Sequence, residues 1–120
     1  TGAAIACPDR PVLALTGDGS AMYTLQSLWT MAREGLDVTV LVFANGGYRI
    51  LHAEMQGMGV ETPGRNAERM FDITGPTLDW VALAAGHGVP GEAVDTAEAL
   101  ETAIDAGLQS KGPYLIEVRI

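Results

Sequence analysis

Two short apolar runs, Pro11-Val12-Leu13-Ala14-Leu15-Thr16 and Val38-Thr39-Val40-Leu41-Val42-Phe43, each end at a glycine-rich turn. Runs of this length with little polar alternation are expected of strands buried on both faces, as in parallel sheets covered by helices. Between them Leu25, Leu28, Trp29 and Ala32 recur at helical spacing from about Thr24 to Arg33, and Gly35 supplies the stop. Strand, turn, helix and strand in that order form a parallel pair joined by a crossover.

The rest of the chain continues the alternation. Thr1 to Ala6 reads as the end of a helix stopped by Pro8, and Tyr48 to Glu54 as a short helix. Residues 56–75 have no clean period and read as a long functional or mobile loop. Thr77 or Asp79 can cap a helix carrying Leu78, Val81, Ala82 and Ala85, which Gly86 or Gly88 ends. A short strand over Val89–Val94, a helix from Thr96 to about Ala106 and a last strand from Tyr114 to Ile120 complete the reading. The expectation is a single α/β domain, residues 1–120, built on a doubly wound parallel sheet of about four strands with helices on both faces.

Composition narrows the partners. The 120 residues carry 15 acidic and 7 basic side chains, a formal net charge of −8, which argues against nucleic acid and anionic membrane surfaces. No apolar run approaches the roughly 20 residues that cross a bilayer, and a cytoplasmic protein is the expectation. The single cysteine, Cys7, excludes an internal disulfide framework and reads as a small buried side chain. An apolar start without methionine and a strand running to Ile120 suggest a piece of a longer polypeptide.

The chemistry gathers at two turns. Open α/β sheets bind ligands at the carboxyl ends of their strands, where Gly17-Asp18-Gly19-Ser20 and Asn45-Gly46-Gly47-Tyr48 fall. Asp18 and Asn45 lie 27 residues apart, about one crossover unit. On neighbouring strands, about 4.8 Å apart, a carboxylate and an amide oxygen can reach one cation from two loops. Magnesium prefers such oxygen donors and keeps places for water and phosphate oxygens. Glycines beside the donors let the backbone approach without a Cβ in the way. No Gly-Lys-Ser/Thr follows the first turn, and Gly17-x-Gly19-x-x-Met22 lacks the third glycine of a dinucleotide fingerprint.

The two turns together resemble the thiamine-diphosphate enzymes, specifically the C-terminal diphosphate-binding domain of the acetolactate synthase and benzoylformate decarboxylase group. That motif opens on Gly-Asp-Gly and closes on Asn-Asn; here Gly17-Asp18-Gly19 is followed by 24 residues, Ser20 to Phe43, and then Ala44-Asn45. The likeness continues through Leu78-Asp79-Trp80-Val81-Ala82-Leu83-Ala84 and Lys111-Gly112-Pro113-Tyr114-Leu115-Ile116-Glu117-Val118. The resemblance implies magnesium ligands at Asp18, Asn45 and the Gly47 carbonyl, and diphosphate contacts at Gly17, Gly19, Ser20 and Tyr48. It also implies a transferase or lyase acting on a 2-oxo acid, with pyrimidine-binding and central domains supplied by the same polypeptide or a companion chain. The glutamate that activates the cofactor would then come from a neighbouring subunit, so the resemblance implies a homodimer or homotetramer. No catalytic acid, base or nucleophile is assigned to these 120 residues, and the piece alone is expected to be inactive. Ala44 departs from the motif at its first asparagine, which puts the hydrogen bonding of that turn in question.

Two functions stay open within the resemblance, acetolactate synthesis and simple 2-oxo acid decarboxylation. A third reading, of another class, is a non-catalytic flavodoxin-like module whose glycine loops are structural or hold another phosphate ligand. Trp29 and Trp80 are expected in the core, His52 on the surface of its helix and His87 in a loop. Met55, Met58 and Met70 either close over the cofactor or pack on a missing domain.

Overall fold

The computed structural model describes all residues from Thr1 to Ile120 and holds four parallel strands: β1 (Val12–Gly17), β2 (Val38–Ala44), β3 (Gly91–Val94) and β4 (Tyr114–Arg119). They lie in the order β1-β2-β4-β3. The seven helices are α1 (Gly2–Ala6), α2 (Asp18–Ala21), α3 (Ser27–Glu34), α4 (Arg49–Gly57), α5 (Arg65–Phe71), α6 (Trp80–Gly86) and α7 (Ala97–Gln109). The doubly wound α/β reading is therefore correct, with helices on both faces.

Strand alternation explains the two cores. Val38, Val40 and Val42 point from β2 toward α1, α3 and α6, where they meet Ala4, Leu28, Met31, Trp80 and Ala84. Leu41 faces the other way and packs with Ile116, Val118, Val94 and Ala103 beneath α7. Both sides of β2 are thus apolar, which is why its sequence shows no hydrophobic–polar alternation. Helix α7 packs on β2, β4 and β3; on that face Leu13 and Leu15 of the edge strand β1 remain exposed.

Local signals set several helix ends. The Asp79 carboxylate accepts the Ala82 amide at 2.8 Å and caps α6, while Thr96 Oγ1 accepts the Ala99 amide at 3.2 Å and caps α7. Gly35 closes α3 at φ 59°, a left-handed conformation that favours glycine. No helix is long and apolar enough to cross a membrane.

Four expectations are corrected. The segment 56–75 contains α5, so it is not an uninterrupted loop. Trp29 is 52% exposed, lying off the apolar stripe of α3 with the Arg33 guanidinium 5.3 Å from its ring centre. Cys7 is half-buried. The first strand, expected to be buried on both faces, is an edge strand that leaves Leu13 and Leu15 43% and 63% exposed. His52 lies on the surface of α4 as expected, its side chain 38% exposed and edge-on to Phe71 at 4.7 Å. Trp80, 1% exposed, is core as expected, and His87 ends α6 with Nδ1 2.7 Å from the Leu83 carbonyl. Met58 and Met70 are strongly exposed and cover nothing within this chain.

Candidate cation and diphosphate site

Strands β1 and β2 pair directly, with Gly17 opposite Phe43, so the chain leaves both at one edge of the sheet. Asp18 follows at once and is only 3% exposed. Its Oδ1 accepts the Gly19 amide at 2.8 Å and its Oδ2 accepts the Gly46 amide at 2.7 Å. One carboxylate therefore staples two turns that are 28 residues apart. Charged acceptors make the stronger hydrogen bonds, so this staple fixes the relative position of the turns.

The second turn is shaped by Asn45 and Gly46. Asn45 Oδ1 accepts the Gly47 amide at 3.0 Å, a local side-chain turn, and Gly46 sits at φ 75°. A Cβ on Gly46 would also lie 2.7 Å from Thr74 Cγ2. At Gly47 a Cβ would meet the Phe71 carbonyl oxygen at 2.9 Å, and at Gly19 it would enter the Tyr48 ring at 2.6 Å. Both glycines thus stand where backbone and ring close in, and no larger residue fits without movement. Ala44, where the motif has asparagine, continues β2 and accepts the Ile120 amide at 3.1 Å.

All seven residues singled out by sequence, Gly17, Asp18, Gly19, Ser20, Asn45, Gly47 and Tyr48, line one cleft of about 150 Å³. Arg49 and Ile50 complete its wall, so a cation stands at the mouth although no lysine does. The oxygen donors suit a hard divalent cation: one carboxylate, one side-chain amide, and the Gly47 carbonyl, which accepts no backbone hydrogen bond. No group of three or more His, Cys, Asp or Glu side chains gathers to make a cation cage from such residues alone.

Sequence reasoning missed the buttress behind this turn. The Tyr48 amide donates to the Phe71 carbonyl at 2.8 Å, and the Ile73 amide to the Gly46 carbonyl at 3.1 Å. Asp72 Oδ1 in turn accepts the Thr74 hydroxyl and amide, at 2.6 and 2.7 Å, which hold its carboxyl below the ordinary value of 3.8. A depressed carboxyl stabilises the fold above its unfolded value, and that contribution is lost as pH falls through the folded one. Acidification below about pH 4 is therefore expected to loosen Thr74 first, seen as faster exchange of its amide, and Asp72→Asn removes that pH dependence.

Glu117 was also missed, although a carboxylate in an apolar strand is a readable signal. It is 4% exposed on β4, and its Oε1 accepts Arg119 Nε at 3.0 Å. That bond raises the Arg119 guanidinium above its already high ordinary value.

Known proteins are similar to this chain in sequence and in fold. Residues 1–118 match the family described as "Thiamine pyrophosphate enzyme, C-terminal TPP binding domain". The chain is 50% identical over 118 residues to the provisionally named acetolactate synthase large subunit IlvX of Mycobacterium tuberculosis, covering 98% of this chain and 23% of that one. It is 36% identical to the benzoylformate decarboxylase of Pseudomonas aeruginosa, over 98% of this chain and 21% of that protein. The solved thiamine diphosphate-dependent 4-hydroxybenzoylformate decarboxylase of Rhodococcus jostii superposes with a TM-score of 0.86 at 42% identity, covering 98% of this chain and 21% of that one. The chain thus spans about a fifth of the length of these relatives. Thiamine diphosphate is the cofactor of such a domain, and magnesium is its standard cation in this family. The chain belongs to the thiamine pyrophosphate enzymes, as a C-terminal TPP-binding domain.

Proposed function

We propose that this domain anchors the diphosphate end of thiamine diphosphate, through magnesium, for a larger enzyme that decarboxylates a 2-oxo acid. The carrying observation is the Asp18 carboxylate, buried and bonded to amides of both turns, at the centre of a cleft with two further oxygen donors. Asp18, Asn45 and the Gly47 carbonyl would hold the cation. Gly17, Gly19, Ser20 and Tyr48 would border the diphosphate, with Arg49 offering charge at the mouth. When bound, the cofactor supplies the electron sink for decarboxylation. The residues of this chain bind and orient; they carry no step of bond breaking.

The resulting aldehyde unit would be transferred, as in acetolactate synthesis, which the 50% identity to a protein of that name favours. Release of the aldehyde is the second reading, favoured by the close superposition on a decarboxylase of an aromatic 2-oxo acid. Pyrimidine-binding and central domains of the same polypeptide or a companion chain would complete the enzyme, as a homodimer or homotetramer in the cytoplasm.

Titration of the complete enzyme with thiamine diphosphate, with and without magnesium, tests the anchoring role. Binding is expected only with the cation, and Asn45→Ala should weaken it about 10- to 100-fold. Equal binding in a chelator, or an unchanged affinity in Asn45→Ala, contradicts the assignment.

A further inference from the structure

Glu117 is out of keeping with its strand. Leu115, Ile116 and Val118 around it are apolar and buried, and one of its carboxylate oxygens, Oε2, is buried with no partner. Burying such an oxygen is unfavourable, so its place calls for an explanation.

The register shows where it points. Thr16 pairs with Val42 and Val42 with Glu117, which makes one row across β1, β2 and β4. Two residues further along, Ala44 pairs with Arg119, and Asp18 leaves the end of β1 beside them. Residues two apart on a strand share a face, so Glu117 and Arg119 lie on one side of the sheet. Behind the Asn45–Gly47 turn a cavity of about 140 Å³ has Asp18, Gly46, Trp80, Glu117 and Arg119 among its walls. Arg119 is the sole basic group there, facing two buried carboxylates. It is bonded to Glu117 and makes no ion pair with Asp18.

We propose that Glu117 is a positioning residue for the cation site: it holds the Arg119 guanidinium on β4 and so keeps it from pairing with Asp18. Arginine and carboxylate pair strongly and with two parallel hydrogen bonds when geometry permits. A guanidinium on Asp18 would compete with a divalent cation for the same oxygens. The exposed Arg119 side chain has the length to swing; Glu117 Oε1 is its one ion-pair partner, while Asp79 and Asp95 lie near enough to act on its charge without pairing with it. This inference rests on the assignment of Asp18 as a cation ligand.

The test is a mutant cycle on the complete enzyme, depleted of metal, with manganese(II) as the probe and its binding read by EPR in the presence of thiamine diphosphate. Glu117→Gln keeps the volume and removes the ion pair; it is expected to weaken manganese binding about tenfold, or about 1.4 kcal/mol. Arg119→Gln alone should change affinity by less than about twofold, because the guanidinium is already held away, and the double variant should return to within about twofold of the parent. The proposal is overturned if Glu117→Gln binds like the parent, or if the double variant is as weak as Glu117→Gln. It is also overturned if Arg119→Gln tightens binding as much as Glu117→Gln loosens it, since charges would then simply add. Asp18→Asn serves as the control. Should it retain manganese, the assignment of Asp18 falls and this inference with it; should it lose manganese while Glu117→Gln does not, only this inference falls.

Discussion

Asp18→Asn is expected to weaken magnesium-dependent binding of thiamine diphosphate by the complete enzyme about 100-fold or more, roughly 3 kcal/mol. The aspartate has two separable jobs in this structure. As a staple it accepts the Gly19 and Gly46 amides, one on each oxygen. As the one carboxylate lining the cleft it supplies the negative charge a hard cation seeks. An asparagine keeps one acceptor, sets an NH2 group against the other amide, and carries no charge. Leaving one buried donor unmet costs about 1–3 kcal/mol, so urea unfolding without cofactor should register a loss in that range. Calorimetric titration with cofactor and magnesium should register the separate loss of affinity, about 100-fold or more. A drop in stability with unchanged cofactor affinity would make Asp18 a loop staple only. Asp18→Ala is the harsher variant, since it strands both amides and confounds folding with binding.

What the sequence revealed and what it concealed divide along the range of the interactions. Strand β2 was readable because burial on both faces leaves its mark on every residue of the run; β1 carries a similar apolar run, although as an edge strand it leaves Leu13 and Leu15 exposed. The pairing of Asp18 with the second turn was readable because one crossover unit has a narrow range of lengths. Helix α5 was not: only Phe71 of it is buried, so Arg65–Phe71 writes no apolar stripe, and Pro63 and Gly64 before it look like loop. Its role, offering the Phe71 carbonyl to the Tyr48 amide, is a contact 23 residues apart that no local pattern encodes. Trp29 misled because it follows Leu28 directly, and neighbours in a helix turn about 100° apart, which carries its ring off the stripe. Asn45 and Gly46 announced a turn, but the reason that Gly47 must be glycine lies in that same distant carbonyl.

The packing of α7 on β2 gives an equally sharp expectation for stability. Gly107 lies within α7, where alanine would ordinarily gain about 1 kcal/mol of helix propensity. Here its Cβ would fall 2.7 Å from Cγ2 and 2.9 Å from Oγ1 of Thr39, which is buried in the middle of the sheet. Both atoms belong to a β-branched side chain with few alternative rotamers, so the helix itself must move. Overpacking of this kind costs about 1–3 kcal/mol, enough to outweigh the propensity gain. Gly107→Ala should therefore destabilise the domain by up to about 2 kcal/mol in urea unfolding. Thr39 Oγ1 has no hydrogen-bond partner, so Thr39→Ala breaks none and frees the space. In the Thr39→Ala background the same Gly107→Ala change should reverse sign and stabilise by about 0.5–1 kcal/mol. A reversal isolates the side-chain clash as the cause. An equal loss in both backgrounds would mean that Gly107 is required by the backbone path of α7 and not by Thr39.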